Sequence, residues 1–319
     1  MLLIKNTIVR YLLIIVTIIL LAGAGWFSHF SLTPYQMSSE QIQAHYAYQV
    51  PNDLQWQQTK IEDNYYEFTY QSFDGQTVNG RIKYPPSYAN TEQPIPVLIG
   101  IHALGRSQIR WFQDSFKTRP TITSVDKITQ QALGQGYAVI AIDARNHGLR
   151  KDPDYSIRNM MIDLNYFGKK VPYEAFITNT VKDHRILIDW LTEQPQFDKS
   201  QINVAGYSMG GQVSLLLAGI DRRIKNVAAI VPPHLDDKTA LVAPKNISLL
   251  KKAANLNLNK YNFIDTKPFA SEDTSREGVF VCGAVSEPKD IPETVIQASA
   301  AAGRASELLA EARGTLVEV

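Results

Sequence analysis

Cysteine is nearly absent from this chain: Cys282 is the only one among 319 residues. A single thiol excludes an intramolecular disulfide, a zinc site with several cysteine ligands and a cysteine-ligated iron–sulfur cluster built from this chain alone. An excess of positive charge is also absent, since 32 Lys and Arg stand against 31 Asp and Glu. Nucleic acid is therefore not an expected partner, because binding to phosphates needs a basic surface.

Charge is missing altogether from Tyr11–Phe27, near the N-terminus. This apolar run predicts either a signal anchor that stays in the membrane or a signal peptide cut after Ala22-Gly23-Ala24. A buried core helix is the third interpretation. We favour the anchor. Lys5 and Arg10 precede the run, so the rest of the chain is expected to face out of the cytoplasm.

The middle of the chain alternates between strand and helix patterns. Tyr66–Gln71 and Thr77–Tyr84 alternate apolar and polar residues around Asp74-Gly75, which predicts a β-hairpin. Four short apolar runs follow, each typical of a strand buried on both faces: Val97–Ile101, Tyr137–Ile142, Ile202–Ala205 and Val227–Val231.

Helical patterns lie between and after these runs, at Glu174–Glu193 and Gly211–Ile220. Strands that alternate with helices predict an α/β fold with a doubly wound, mostly parallel sheet. We expect this sheet to be incomplete at its C-terminal edge and to be preceded by the N-terminal hydrophobic helix.

The motif G-x-S-x-G occurs as Gly206-Tyr207-Ser208-Met209-Gly210, between an apolar strand and an apolar helix. That context is what a nucleophilic serine needs, because the glycines allow a sharp turn that presents the hydroxyl at the start of a helix. A helix N-terminus also favours developing negative charge. Ser208 is therefore the predicted nucleophile, and an ordinary glycine-rich turn is the alternative.

A second loop, His102-Ala103-Leu104-Gly105, follows the Val97–Ile101 run. In this architecture such a loop supplies one backbone N–H of an oxyanion hole. We expect Leu104 or Ala103 to donate it and the N–H of Met209 to be its partner. His102 is interpreted as a residue that orders the loop.

These segments together resemble the α/β-hydrolase family, in its esterase, acyl-transfer and dienelactone-hydrolase branches. The resemblance extends over about residues 65–234 and is carried, in order, by FDGQTVNGRIKYP, VLIGIHALGRS, GYAVIAIDARNHG, FDKSQINVAGYSMGG and VAAIVPPH. It implies a serine hydrolase that acts on an ester or a related acyl compound. It also implies that Asp143, Arg145 and His147 lock a loop rather than react.

The usual partners of the serine are scarce. In this family an acid and then a histidine follow the nucleophile, but only His234 comes after Ser208. The one acid between them, Asp221, falls at the far end of the helix, about 20 Å from the serine. His234 is the remaining candidate base, oriented by Asp236 or Asp237, and an ordinary loop histidine is the interpretation that we favour.

After about residue 235 the pattern changes. The segments TSREGVFVCGA and PKDIPETVIQASAAA resemble the C-terminal, flavin-contacting part of the A component of heterodisulfide reductase, a disulfide-oxidoreductase-like flavoprotein. The FAD-binding half of such a protein is missing, because no G-x-G-x-x-G follows a strand. We therefore expect no bound cofactor and no metal.

The sequence predicts four regions: a signal anchor or signal peptide (1–30), a lead-in segment (31–64), a truncated hydrolase domain (65–235) and a flavoprotein-like fragment (236–319). Our hypothesis is that the chain is a chimera, in which a hydrolase and a flavoprotein-like fragment are joined. We expect an impaired serine hydrolase for a small acyl substrate, membrane-anchored or secreted. The alternatives are a catalytically silent anchored binding module and, last, a flavin-dependent oxidoreductase. Val279–Cys282 is expected to pair at the open sheet edge, with poor packing between the two halves.

Overall fold

The structure is a computed structural model. It describes residues 2–30, 37–113, 115–116, 119–120, 125–233, 256–260, 263–268, 270–282, 286–287, 297, 300–301, 303–305 and 307. The α-helices are α1 (Leu2–Phe30), α2 (Ser39–His45), α3 (Val125–Gly134), α4 (Ile157–Phe167), α5 (Val171–Glu193) and α6 (Met209–Ile220).

The strands up to the nucleophile region are β1 (Gln57–Glu62), β2 (Tyr65–Gln71), β3 (Thr77–Lys83), β4 (Ile95–Ile101), β5 (Ser115–Phe116), β6 (Arg119–Pro120), β7 (Ala138–Ile142), β8 (Phe197–Tyr207) and β9 (Ile224–Ile230). The later strands are β10 (Thr266–Lys267), β11 (Ala270–Thr274) and β12 (Val279–Cys282). Three short 3₁₀ turns lie at Tyr88–Asn90, Gln108–Trp111 and Gly148–Arg150.

Ten of these strands form one sheet in the order β1-β2-β3-β7-β4-β8-β9-β12-β11-β10. The centre is parallel, because β4 pairs parallel with both β7 and β8, and β8 pairs parallel with β9. The predicted α/β fold with a mostly parallel sheet is confirmed, as is the β2–β3 hairpin, whose strands pair antiparallel.

Burial explains why the apolar runs became the central strands. Every residue of β4 and β7 is buried, which is what helices on both faces of a parallel sheet require. α5 and α6 pack on one face and contribute Val181, Leu187 and Val213 to the main core. α3 covers the other face with Val125.

The tail strand β12 completes the sheet beside β9. Val279, Phe280, Val281 and Cys282 pair in parallel register with residues 227–230, so the predicted pairing is confirmed. The expectation of poor packing was wrong for this strand, since these four side chains are at most 3% exposed. A short, continuously apolar strand is enough to pair in parallel with an edge strand such as β9, and Val279–Cys282 is such a strand.

The N-terminal helix α1 contains a span, Val9–Phe30, that is long and apolar enough to cross a membrane. Its side chains from Tyr11 to Leu21 are largely exposed. This agrees with the predicted hydrophobic helix. The choice between a retained anchor and a cleaved signal peptide stays a prediction.

Candidate active site

Ser208 lies between β8 and α6 and adopts φ 55° and ψ −117°, a conformation that non-glycine residues rarely occupy. Holding a residue there costs about 1–3 kcal/mol, and such strain is found at functional sites. The Ser208 N–H donates to the carbonyl of Ile230 over 2.8 Å, which fixes the turn to the end of β9. The side chain of Ser208 is partly exposed at the carboxyl end of the strand.

Glycines allow the backbone around Ser208 to pack this closely. A Cβ at Gly206 would lie 2.0 Å from the carbonyl oxygen of Gly210, and a Cβ at Gly210 would lie 2.1 Å from that of Ile101. No side chain fits at either distance. The turn therefore packs directly against the end of β4, where Ile101 is the register partner of Gly206.

The loop after β4 therefore lies beside the serine. Ala103 and Leu104 are partly buried there. The carbonyl of Ala103 accepts hydrogen bonds from the Arg106 N–H and from the His102 ring. In a trans peptide the following N–H points the opposite way, so the N–H of Leu104 is directed away from this turn. The N–H of Met209 is one of the first of α6, which have no acceptor within the helix.

Two buried histidines hold this loop against the loop after β7. His102 donates from Nδ1 to the Ala103 carbonyl over 2.9 Å and accepts the Ala144 N–H at Nε2 over 3.0 Å. His147 accepts the Gly105 N–H at Nε2 over 2.8 Å and bonds the Arg145 carbonyl through Nδ1. Both nitrogens of each ring are hydrogen-bonded, which agrees with a loop-ordering role for His102 and His147.

These two rings are neutral. Burial lowers the pKa of His102 to about 3 and also lowers the pKa of His147. Asp143 accepts the N–H groups of Gln108 and Leu149, and burial raises the pKa of its carboxyl. Both of its oxygens are therefore occupied by loop N–H groups.

Sequence reasoning missed a buried charge cluster behind this loop. Asp183 of α5 is fully buried and accepts hydrogen bonds from Arg145 at 2.7 Å and 2.6 Å, from Arg150 at 2.7 Å and from Ser72. Arg145 also pairs with Asp74 of the hairpin turn at 2.6 Å. The cluster joins the hairpin, the β7 loop and α5. The sequence pattern gave no signal for it, because at about 100° per residue position 183 lies about 120° around the helix from the apolar face of Ile177, Val181 and Ile188.

A proton acceptor for Ser208 is not found in the part of the chain that the structure describes. No described histidine or carboxylate hydrogen-bonds to Ser208. His234, the predicted base, lies outside the described residues, as do Asp236 and Asp237. Asp221 caps the far end of α6 and pairs with Arg223 and Arg185, so it is not the catalytic acid.

No group of three or more His, Cys, Asp or Glu among the described residues is placed to hold a metal ion. Of the two tail segments that resemble a flavin-contacting part, residues 274–284 and 288–302, the structure describes 274–282, 297, 300 and 301. Strand β12, in the first of these segments, is built into the hydrolase sheet.

The fold and the serine turn agree with a comparison against known families. A family model described as acetyl xylan esterase matches residues 37–267. The chain belongs to the acetyl xylan esterase family. The family match continues beyond residue 235, where the sequence pattern predicts the end of the hydrolase region. Membership places this esterase-family chain among the serine hydrolases, in line with the predicted esterase resemblance.

This family member has the same fold as a solved structure. It is similar to acetyl xylan esterase 1 from Thermoanaerobacterium sp. JW/SL YS485, with a TM-score of 0.51 and 17% identity over 86% of this chain and 87% of that one. It is also similar to acetyl xylan esterase from Paenibacillus sp. R4, with a TM-score of 0.47 and 19% identity over 70% and 75% of the two chains.

One curated relative is a different kind of protein. A protein of Archaeoglobus profundus, described as similar to the A component of heterodisulfide reductase, is 32% identical over 99 residues, which cover 30% of this chain. The chain spans only 14% of that relative's length.

Proposed function

We propose that this chain is an extracytoplasmic serine esterase that removes small acyl groups, acetyl in particular, from carbohydrate hydroxyls, and that it works slowly. Membership of the acetyl xylan esterase family supports the substrate class. The observation that carries the proposal is the strained conformation of Ser208 at the start of α6, beside the loop after β4.

The chemistry is two successive acyl transfers. Oγ of Ser208 attacks the carbonyl carbon of the ester, and the serine proton passes to a base or to water. The sugar alcohol leaves with a proton, and an acyl group remains on the serine. Water then attacks this acyl-serine, releases the carboxylic acid and returns the proton to Oγ.

The proposed oxyanion hole consists of two backbone N–H groups, those of Met209 and Leu104. Leu104 is preferred to Ala103 because the Ala103 carbonyl accepts hydrogen bonds from within its own loop. The N–H of Leu104, on the other side of the same peptide, therefore points out of that loop. Removing one such donor costs about 10²–10³ in kcat in a known serine protease. These donors account for the activity that we expect to persist without an efficient base.

The slow rate follows from the supply of proton acceptors. His234 is the single histidine after Ser208 in the sequence, and we propose that it lies in an ordinary loop rather than in a triad. Serine enzymes that lack the base retain about 10³–10⁴-fold catalysis over water, from the oxyanion hole and substrate binding alone.

The test combines a fluorophosphonate probe with initial rates on 4-nitrophenyl acetate, using the full chain, Ser208→Ala and His234→Ala. We expect the full chain to label slowly and to exceed Ser208→Ala in turnover. His234→Ala should match the full chain. Identical turnover of the full chain and Ser208→Ala would contradict the esterase and favour the silent binding module. A large loss in His234→Ala would contradict the impaired triad.

We also propose that α1 is a retained anchor and that residues 236–319 entered the chain by a fusion of two genes. The partial match to a relative described as similar to the A component of heterodisulfide reductase supports the second idea. The family match extends to residue 267, beyond the change of sequence pattern near residue 235. Sequencing the native transcript across codons 225–290 tests continuity, and two separate messages would contradict a natural fusion.

A further inference from the structure

Exposed apolar side chains are concentrated in one segment of the domain. Among the described residues outside α1, seven large hydrophobic side chains are strongly exposed, and five of these lie between positions 149 and 171. They are Leu149 (82% exposed), Val171 (68%), Tyr166 (58%), Phe167 (46%) and Ile162 (38%), here called the 149–171 patch. Single exposed apolar residues are common, but several within one short segment, two of them in contact with α1, indicate an interaction surface.

The patch is continuous with the end of the hydrophobic helix. The ring of Tyr166 lies 6.4 Å from that of Trp26, and the ring of Phe167 lies 6.0 Å from that of Phe30, edge to face. Gly168, which ends α4 with φ 61°, approaches so closely that a Cβ there would lie 2.4 Å from the carbonyl oxygen of Phe30. The ends of α1 and α4 are therefore in direct contact.

The length of the span sets the depth of this contact. Val9–Phe30 contains 22 residues, which as a helix extend over about 33 Å, close to the thickness of a bilayer's hydrocarbon core. Phe30 then lies at the outer boundary, and Trp26 lies about 6 Å deeper. Rings that contact these two residues lie at the same depth, where aromatic side chains are favoured.

The charges around the patch suit a headgroup region. Lys169 is exposed, lies 5.6 Å from the centre of the Phe167 ring and pairs with Asp163 at 3.1 Å. Lys170 pairs with Glu174 at 3.8 Å. When aromatic rings insert into lipid, long lysine side chains beside them can keep their ammonium groups in the polar layer. Because both of these lysines pair with a carboxylate, they do not by themselves require anionic lipid.

We infer that the 149–171 patch is a second membrane contact, which inserts Tyr166, Phe167 and Val171 into the outer headgroup layer beside α1. The inference rests on the proposed retention of α1. This contact has a consequence for the candidate active site. β4, β7 and β8 run parallel, so their carboxyl ends lie together along one edge of the sheet, here called the catalytic edge. Leu149 follows β7 at that edge and Ser208 follows β8. The patch therefore holds the catalytic edge next to the lipid surface.

The test uses the full chain with Cys282→Ala, which removes the only native thiol, and one new cysteine at the patch. Val171→Cys and, separately, Tyr166→Cys are labelled with an environment-sensitive fluorophore. Lys199→Cys is the matched control, because Lys199 is exposed in the amino-terminal part of β8. The labelled proteins are reconstituted into phosphatidylcholine vesicles containing lipid with a nitroxide near the headgroup.

We expect quenching several-fold stronger at positions 171 and 166 than at 199, with a blue shift of emission. Equal quenching at all three positions would overturn the inference and point to a protein partner for the patch. Loss of the first 30 residues in the protein isolated from its native host, read by intact mass, would overturn it as well. Probe labelling of Ser208 in the same sample reports independently on the esterase proposal.

Discussion

Single residues set the geometry of the serine turn, and Gly210 is the one with least room. Its Cβ would meet the backbone oxygen of Ile101 at 2.1 Å and that of His102 at 2.9 Å, and neither backbone can move without displacing β4. Gly210→Ala is therefore expected to lower the free energy of unfolding by more than about 3 kcal/mol. It should also abolish probe labelling of Ser208. Urea unfolding and labelling measure the two effects.

Gly134→Ala is the control for this change. A Cβ at Gly134, the last residue of α3, would contact nothing within 4 Å. Alanine is the better helix former by about 1 kcal/mol. A stable Gly134→Ala and an equally stable Gly210→Ala would show that the close approach of backbones at the serine turn is not required.

Three buried histidines predict how stability changes with pH. Burial lowers the pKa of His102 to about 3 and of His184 to about 4, and it lowers the pKa of His147. The unfolded chain binds these protons near pH 6.5, before the folded chain does, so stability is full above pH 6.5 and falls as pH decreases towards 4. Each group contributes a slope of up to about 1.4 kcal/mol per pH unit.

The matched variant for this prediction is His147→Gln, which keeps an acceptor for the Gly105 N–H and does not titrate. Its free energy of unfolding, measured from pH 7.5 to 4.5, should depend less steeply on pH than that of the parent. Parallel curves for the two proteins would mean that His147 binds its proton equally in both states. Asp143, whose pKa is raised by burial, acts in the opposite sense in both proteins.

Motif and context were enough to predict the strained turn at Ser208, because the turn is specified by residues adjacent in sequence. The Asp183 cluster was not located, since its members come from the hairpin, the β7 loop and α5 and are brought together only by the fold. The identity of the base also depends on the three-dimensional position of one residue, His234. Local sequence carries no information on that position.

At the scale of elements, β12 offers the clearest test. Val281 is fully buried and pairs in register with Ala229 of β9. Val281→Asp places an unpaired carboxylate in the main hydrophobic core, so the free energy of unfolding should fall by more than about 3 kcal/mol. Thermal unfolding monitored by circular dichroism, together with binding of a hydrophobic dye, measures the change.

Ser271→Asp, at an exposed position of the neighbouring strand β11, should change the free energy of unfolding by no more than about 0.5 kcal/mol. If the two variants unfold alike, β12 is not part of the cooperative unit. The contrast therefore separates a strand that belongs to the hydrolase sheet from one that merely lies beside it.

The strands and the serine-bearing helix could be predicted because burial on both faces leaves an apolar run in the sequence. It was harder to predict from the sequence which strands are neighbours in the sheet. The pairing of β12 with β9 joins segments far apart in the chain, and the sequence indicated only that an open edge and a spare apolar run existed. How well they would pack depends on side-chain shapes, which a pattern of apolar residues does not specify.

On the scale of the whole molecule, the sequence predicted two unrelated regions and the structure contains one ten-stranded sheet. The prediction and the structure are compatible, because a sheet edge accepts any strand of suitable length and apolarity, whatever its origin. Family membership over residues 37–267 reflects common descent, whereas strand pairing reflects the free energy of hydrogen bonding and side-chain burial. The two do not have to share a boundary.

The late position of β12 in the chain affects synthesis. The outer edge of β9 has no partner until Val279–Cys282 emerges from the ribosome. During that delay its free N–H and C=O groups are open to the same edge of another nascent copy. Slow translation of the last codons lengthens this delay, so the yield of monomer should depend on the rate at which the final segment is made.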